Sequence, residues 1–226
     1  MELPLAFTDR TKNLLKDEYP AFEKALREES PISIRLNPLK TNSGLFGQEQ
    51  VPWCKNGYYL QDRPAFTFDP RFHAGAYYVQ EASSMFLDYV IRQHIIRPVR
   101  YLDLCAAPGG KTTLALSALP EGSLVVCNEI VRNRAHVLAE NIIKWGNPYC
   151  IVTNNDSATF NSLKHYFDVI LTDVPCSGEG MFRKDPVVCI ECRTMFGTSK
   201  RNTAQYLGCF TSRWYTDIQY LHLQHR

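Results

Sequence analysis

The stretch 99–113, V-R-Y-L-D-L-C-A-A-P-G-G-K-T-T, changes character halfway along its length. It begins as a mostly apolar run with β character, which Pro108, Gly109 and Gly110 interrupt. From Lys111 onward the residues favour a helix, and leucines and alanines supply its apolar face. A strand, a glycine turn and a helix together bring backbone N–H groups and a helix N-terminus close to a ligand. The stretch therefore predicts a polar ligand site in an α/β fold.

Three kinds of ligand site share this outline. A phosphate-binding P-loop needs G-x-x-x-x-G-K-[ST]; Gly110, Lys111 and Thr112 supply its second half, but Cys105 stands where the first glycine belongs. The dinucleotide fingerprint G-x-G-x-x-G is reduced to the pair Gly109 and Gly110. The third kind is a methyl-donor site, at which S-adenosylmethionine lies across the carboxyl ends of parallel strands. The turn alone leaves these open beside an ordinary βα connection.

Composition restricts the class of protein. The chain has 226 residues with 25 basic and 23 acidic side chains, a net charge of +2, and no long basic run. Charge alone therefore does not indicate nucleic-acid binding. The eight cysteines show no disulfide-like spacing, no apolar stretch is long enough to span a membrane, and the N-terminus lacks a signal-peptide core. We expect a soluble, cytoplasmic globular protein.

The first third of the chain predicts a small α+β region. Residues 8–16 and 20–28 read as two short helices, the second opened by a proline. Residues 32–36, I-S-I-R-L, alternate between apolar and polar side chains, as a half-buried strand does. Residues 1–75 are therefore expected to precede the main sheet as a separate region.

From residue 99 the chain alternates strands and helices, which predicts parallel strands joined by right-handed crossovers with helices on both faces of the sheet. Acidic residues follow three of these strands: Glu129, Asp156 and Asp173. Since ligands bind beyond the carboxyl ends of such strands, these side chains are expected to share one edge with the glycine turn. Glu129 could accept hydrogen bonds from a ribose and Asp156 from an adenine amino group. Each could instead serve a helix N-terminus, and Asp173 could equally bind magnesium.

Four sequence motifs resemble one enzyme family. They are S-I-R-L-N-P-L-K at 33–40, F-H-A-G-A-Y-Y-V-Q-E-A-S-S-M at 72–85, D-L-C-A-A-P-G-G-K-T at 103–112 and D-V-P-C-S-G-E-G-M-F-R-K-D-P at 173–186. In their residues and their order along the chain, the four motifs resemble those of the Sun-type RNA cytosine-5 methyltransferases, in particular the bacterial RsmF-like ribosomal RNA enzymes.

The resemblance implies a Rossmann-like class I methyltransferase sheet that uses S-adenosylmethionine, incomplete at its C-terminus and preceded by the α+β region. It implies an RNA-associated region 1–75, a cofactor-binding core 76–186 and a divergent tail 187–226. RNA, in particular ribosomal RNA, is the implied partner. Neither a membrane nor a stable protein partner is expected.

The same resemblance assigns residues to the cofactor. The loop around its methionine part comprises Cys105, Ala106, Ala107, Pro108, Gly109, Gly110 and Lys111. Glu129 is implied to hold the ribose and Asp156 the adenine side, while Asp173 lies between the cofactor and the target base. Arg134 stands where the family keeps an arginine, and we assign it no role at this point.

The implied reaction makes Asp173 and Cys176 the candidate catalytic residues. In the family a thiolate adds to cytosine C6, which makes C5 nucleophilic enough to accept a methyl group. Asp173 is implied to stabilise charge near N3 of the base, and Cys176, in a Pro-Cys motif, to assist product release. The attacking thiol belongs to a later Thr-Cys motif, and no Thr-Cys dipeptide occurs in this chain. The alternative is a non-catalytic remnant that binds S-adenosylmethionine or RNA.

Residues 187–226 depart from the family pattern and become more basic, so we interpret them as an altered end, such as the product of a frameshift. Cys189 and Cys192 have the spacing of half a zinc site, with His222 and His225 as the distant other half. The long separation favours accidental spacing, and no metal site is expected.

Overall fold

Two groups of secondary structure make up the computed structural model, which describes residues 3–41 and 49–173. Within those ranges, residues 3–30 belong to one compact unit and residues from 31 to 173 to another. The predictions for Cys176 and for the tail 187–226 lie outside the described residues. The boundary near residue 75 stays a prediction.

The first unit is a pair of helices, α1 (Leu5–Leu15) and α2 (Tyr19–Arg27), joined by a 3-10 turn. Both helices were predicted, with slightly different ends. The first helix ends before Lys16, which has a positive φ of 48°. Buried Phe7 packs against Leu3, Phe22 and Leu26 and forms the small apolar centre of the pair.

The second unit begins with an antiparallel sheet in the order β2-β1-β3, from β1 (Ile32–Leu36), β2 (Gly57–Leu60) and β3 (Tyr77–Val79). A 3-10 turn and the short helix α3 (Pro70–His73) connect β2 to β3. The expectation of a half-buried β1 is wrong. Ser33 and Arg35 are 3% and 1% exposed, because their face is covered by the segment around Gln80 and by the start of a later helix.

Four parallel strands form the main sheet in the order β6-β5-β4-β7. They are β4 (Arg100–Asp103), β5 (Leu124–Asn128), β6 (Cys150–Thr153) and β7 (Val169–Leu171). Leu102 pairs with Val126 on one side and Ile170 on the other, so β4 is an inner strand. The alternating pattern is confirmed, and the fold is a Rossmann-like α/β sheet.

Helices α4 (Phe86–His94), α5 (Gly110–Ala118) and α6 (Arg132–Trp145) accompany this sheet. Two apolar clusters contain its buried side chains. One joins residues of α4 and α5 to the strands and includes Ile91 and Leu114; the other centres on Leu138 and Ile142 of α6. Across residues 3–41 and 49–173, no helix combines the length and apolarity needed to cross a bilayer.

Candidate functional site

In the turn between β4 and α5, side chains at positions 109 and 110 would crowd neighbouring residues. Gly109 has φ 106°, and a Cβ added there would lie 3.1 Å from Leu138. A Cβ on Gly110 would lie 3.3 Å from the ring of Tyr78. The N–H of Thr113 donates to the Gly109 carbonyl at 2.9 Å and closes the first turn of α5. Glycine is required at position 109 because only glycine accepts this positive φ without strain.

The loop before the glycines is anchored by its own backbone. The N–H of Ala106 donates to the carbonyl of Asn128 at the end of β5, and the N–H of Gly109 donates to Ala106, both at 2.8 Å. Ala106 and Ala107 are buried, and the Ala107–Pro108 peptide bond is cis. Cys105 is partly buried and forms no disulfide. The loop is therefore held against the end of the neighbouring strand.

Lys111 and Asp173 form an ion pair between the start of α5 and the residues that follow β7. Their side chains are 32% and 42% exposed, so the pair lies at the surface of the carboxyl edge of the sheet. The predicted proximity of Asp173 to the glycine turn is confirmed by this contact.

Asp103, the last residue of β4, is an acidic residue that the sequence interpretation missed. It is 1% exposed; its Oδ2 accepts a 2.6 Å hydrogen bond from the Thr112 hydroxyl, and its Oδ1 has no partner among the described residues. Burial raises the pKa of this carboxyl group to about 7, although the Thr112 hydroxyl and Lys111 favour its charged form. The sequence signal was present, because Asp103 opens the 103–112 motif, but a strand-end aspartate alone does not reveal burial.

The same geometry argues against a P-loop. In a P-loop the hydroxyl of the residue after the lysine binds Mg²⁺, and Thr112 occupies that position. Thr112 is fully buried and its hydroxyl donates to Asp103. Lys111 is likewise paired with Asp173. The groups that would bind a nucleoside triphosphate are therefore engaged within the protein.

Glu129 follows β5 and is 3% exposed. Its Oε1 accepts a 3.0 Å hydrogen bond from the N–H of Val131, and its Oε2 lies 3.4 Å from a guanidinium nitrogen of Arg134. The carboxylate thus binds the N–H of Val131, the residue before α6, and makes no side-chain cap of that helix. The arginine links it further to the loop, because Arg134 also donates to the Ala107 carbonyl at 2.8 Å.

Asp156 follows β6 and caps a 3-10 helix, with its Oδ1 accepting the N–H of Ala158 at 2.8 Å. The capping alternative is thus observed for this residue. Among the described residues, the hydrogen bonds and ion pairs bring together the loop, Lys111, Asp173 and Glu129, and they leave Asp156 outside this group. Cys176 lies beyond the described range. Within that range, no cluster of three or more potential metal ligands occurs.

An arginine remote in sequence holds the start of α5. Arg35 of β1 donates to the Gly110 carbonyl at 3.1 Å, to the Thr113 hydroxyl at 2.6 Å and to Gln80 at 2.9 Å. Its guanidinium also lies 4.6 Å from the ring centre of Trp145. Burial lowers the pKa of Arg35 to about 10, so it stays charged at neutral pH. The antiparallel sheet therefore supports the glycine turn directly.

Two family models match the chain in sequence. Residues 3–82 match the N-terminal domain of 16S rRNA methyltransferase RsmF, and residues 96–195 match 16S rRNA methyltransferase RsmB/F. The ribosomal RNA small subunit methyltransferase F of Pectobacterium atrosepticum is 35% identical over 204 residues, which cover 81% of this chain and 41% of that protein. Its counterpart in Shewanella piezotolerans is 37% identical over 169 residues, or 68% of this chain and 35% of that protein.

Solved structures of methyltransferase homologues share the α/β fold of this chain. A methyltransferase homolog protein from Pyrococcus horikoshii superposes with a TM-score of 0.67 at 28% identity, covering 80% of this chain and 62% of that one. NSun6 from the same organism gives 0.65 at 18% identity, covering 77% and 71%, and supports the fold alone. The chain spans about two fifths of the length of the curated relatives described above. From these matches, the chain belongs to the RsmB/F family of 16S rRNA methyltransferases.

Proposed function

We propose that this chain binds S-adenosylmethionine at the carboxyl edge of its parallel sheet and contributes to cytosine-5 methylation of ribosomal RNA. One observation carries the proposal: the glycine turn, Lys111, Asp173 and Glu129 converge at one edge of the sheet in a chain of an rRNA methyltransferase family. The supporting residues are those of the loop Cys105–Lys111, with Glu129 for the ribose and Asp156 for the adenine side. Its cytoplasmic location is part of the same proposal.

The polar groups at this edge fit the proposed cofactor. Asp103 holds a buried carboxylate oxygen without a partner among the described residues, which suits a cationic or N–H donor group nearby. A side chain at position 109 would contact Leu138 of α6 and displace the turn from its place at the edge of the sheet. Glu129 lies about twenty residues after the turn, where an acidic side chain can accept hydrogen bonds from a ribose. When bound, S-adenosylmethionine supplies an electrophilic methyl group.

The target chemistry assigns roles to Asp173 and Cys176. Addition of a thiolate to C6 of cytosine makes C5 nucleophilic; after methyl transfer, loss of the C5 proton and elimination of the thiolate restore the aromatic ring. Asp173, held by Lys111, is positioned to stabilise charge that develops on the base. Cys176 is the proposed thiol for product release. The Thr-Cys motif that holds the attacking thiol in the family is absent from this sequence. Catalytic turnover by this chain therefore needs an experiment of its own, separate from cofactor binding.

The first test is calorimetric titration of the 226-residue chain with S-adenosylmethionine. We expect binding that Glu129→Gln and Asp156→Ala weaken, because each removes a proposed acceptor for the nucleoside. A matched control is Asp62→Asn, an exposed carboxylate on the antiparallel-sheet side of the unit. A folded chain that gives no heat of binding contradicts the proposal.

The second test is transfer of a radiolabelled methyl group to small-subunit ribosomal RNA. Label in the RNA that disappears with Asp173→Asn supports methyltransferase activity by this chain. Cofactor binding without label transfer would identify the non-catalytic alternative, in which the chain binds S-adenosylmethionine or RNA but does not turn over. Cys176→Ser should leave RNA covalently attached only if another cysteine of the chain attacks cytosine C6; loss of label without such an adduct would instead make Cys176 the attacking thiol.

A further inference from the structure

One face of helix α6 lies against the loop formed by residues 105–111, between β4 and α5. The contacting side chains are spaced i, i+4 and i+7, so they lie along a single stripe of the helix. They are Arg134, Leu138 and Asn141. Their partners are consecutive loop residues: Arg134 donates to the Ala107 carbonyl and Asn141 to the Pro108 carbonyl, both at 2.8 Å, while Leu138 lies beneath Gly109.

Arg134 also contacts Glu129, the carboxylate that follows β5. While one terminal nitrogen donates to Ala107, the other lies 3.4 Å from Oε2 of Glu129. The remaining oxygen of Glu129 is bound by the Val131 N–H. The side chain of Glu129 is 4% exposed and that of Arg134 is 50% exposed. The guanidinium therefore joins the loop to the carboxylate that follows β5.

We infer that Arg134 is a positioning residue: it fixes the Glu129 carboxylate relative to the loop backbone at Ala107 and so sets the distance between two parts of the nucleoside site. The inference rests on the proposed function, since it concerns binding of S-adenosylmethionine. Arg134 need not touch the cofactor, because its effect passes through Glu129 and the loop.

The chemistry of arginine suits this role better than that of lysine. A planar guanidinium presents donors in a fixed fork and can serve a carbonyl and a carboxylate at once, in a defined relative orientation. A lysine ammonium keeps the charge but has no fixed fork. Lysine at position 134 should therefore retain attraction to Glu129 while losing control over the loop.

A purely structural role predicts a different outcome. The guanidinium of Arg134 is half-exposed but the Glu129 side chain is 4% exposed, so removing the guanidinium leaves a buried carboxylate with the Val131 N–H alone and should lower the melting temperature in either role. A structural role by itself leaves the Kd of the folded chain unchanged. If Arg134 positions the site, its removal should also weaken cofactor binding, so the Kd measured well below the Tm separates the two roles.

The experiment measures the Kd for S-adenosylmethionine by calorimetry and the Tm by scanning calorimetry, using the full chain. We expect Arg134→Gln to raise the Kd about tenfold or more, because Glu129 and the loop lose their fixed separation, in a chain with a lower Tm that is still folded at the temperature of the titration. Arg134→Lys should fall between the wild type and Arg134→Gln. The control Arg132→Gln, an exposed position on the same helix, should bind as the wild type does.

A double-mutant cycle tests whether Arg134 acts through Glu129. If it does, adding Arg134→Gln to Glu129→Gln should raise the Kd by no more than about twofold beyond the single Glu129 variant, because coupled residues give non-additive effects. Full additivity, or an unchanged Kd in Arg134→Gln, overturns the inference while leaving the proposed function standing. A wild-type chain that binds no cofactor overturns both.

Discussion

Asp103 keeps a carboxyl group where water hardly reaches it, and this gives the protein a testable dependence on pH. Burial raises the pKa of Asp103 from 3.8 to about 7. Between those pH values the native state holds a proton that the unfolded state has released, so rising pH favours unfolding. We expect this group to remove stability between about pH 4 and pH 7, on the order of 1 kcal/mol per pH unit at most.

Urea unfolding of the wild type and Asp103→Asn across this pH range checks the prediction. Asparagine can accept the Thr112 hydroxyl bond but does not titrate, so the wild type should lose stability relative to the variant as pH rises. A difference between the two proteins that stays constant from pH 4 to pH 7 would contradict a raised pKa at Asp103.

Gly109 is a second single residue with a measurable consequence. Alanine there would have to adopt φ 106° and place its Cβ 3.1 Å from Leu138. Gly122→Ala is the matched control, because Gly122 also has a positive φ, 87°, but its Cβ would be in ordinary contact with Pro98 at 3.6 Å. Both variants should lose about 1–3 kcal/mol through backbone strain. Only Gly109→Ala should also weaken binding of S-adenosylmethionine, which titration of both variants measures.

At the scale of elements, β1 and α5 are joined through Arg35, whose hydrogen bonds reach Gly110 and Thr113. Arg35→Met keeps the aliphatic stem but leaves buried acceptors unpaired, so we expect a loss of about 3 kcal/mol or more in the free energy of unfolding. Arg100→Met is the comparison, since its ion pair with Asp168 is partly exposed and should contribute about 0–1 kcal/mol. Denaturant unfolding measures the free energy of unfolding of both variants. Equal losses would argue against a stabilising link between β1 and α5 through Arg35.

The elements themselves were largely predictable, and their tertiary contacts were not. Periodicity and the glycine turn indicated β4, α5 and the parallel sheet, because local propensity and burial agree in those segments. Alternation in β1 was also visible, but alternation does not reveal that a second layer covers the polar face and buries Arg35. The short strand β3 went unnoticed within the 72–85 motif, since three residues carry too little pattern.

The candidate site was likewise predictable in its position on the sheet and unpredictable in its side-chain contacts. The sharing of one sheet edge by Lys111 and Asp173 follows from the parallel direction of the strands, which the alternation of strands and helices predicts. Burial of Asp103 and the bridge made by Arg134 depend on packing between segments distant in sequence. Such contacts can be read only from the folded chain. The strands and helices could therefore be predicted from the sequence, whereas the side-chain contacts between them could not.

At the scale of the whole molecule, the proposed cofactor should stabilise one unit selectively. All the proposed contacts that the structure describes belong to residues 31–173, whereas residues 3–30 form their own compact unit. A ligand that binds only the native state stabilises it by RT ln(1 + [L]/Kd), about 2.7 kcal/mol at a concentration of 100 Kd. In hydrogen exchange with S-adenosylmethionine, protection should therefore rise in peptides from β4, α5 and α6 and stay unchanged in peptides from α1 and α2. Glu129→Gln, measured at the same ligand concentration, should show a smaller rise in the same peptides. Equal protection of α1 and α2 would contradict a site confined to the parallel sheet.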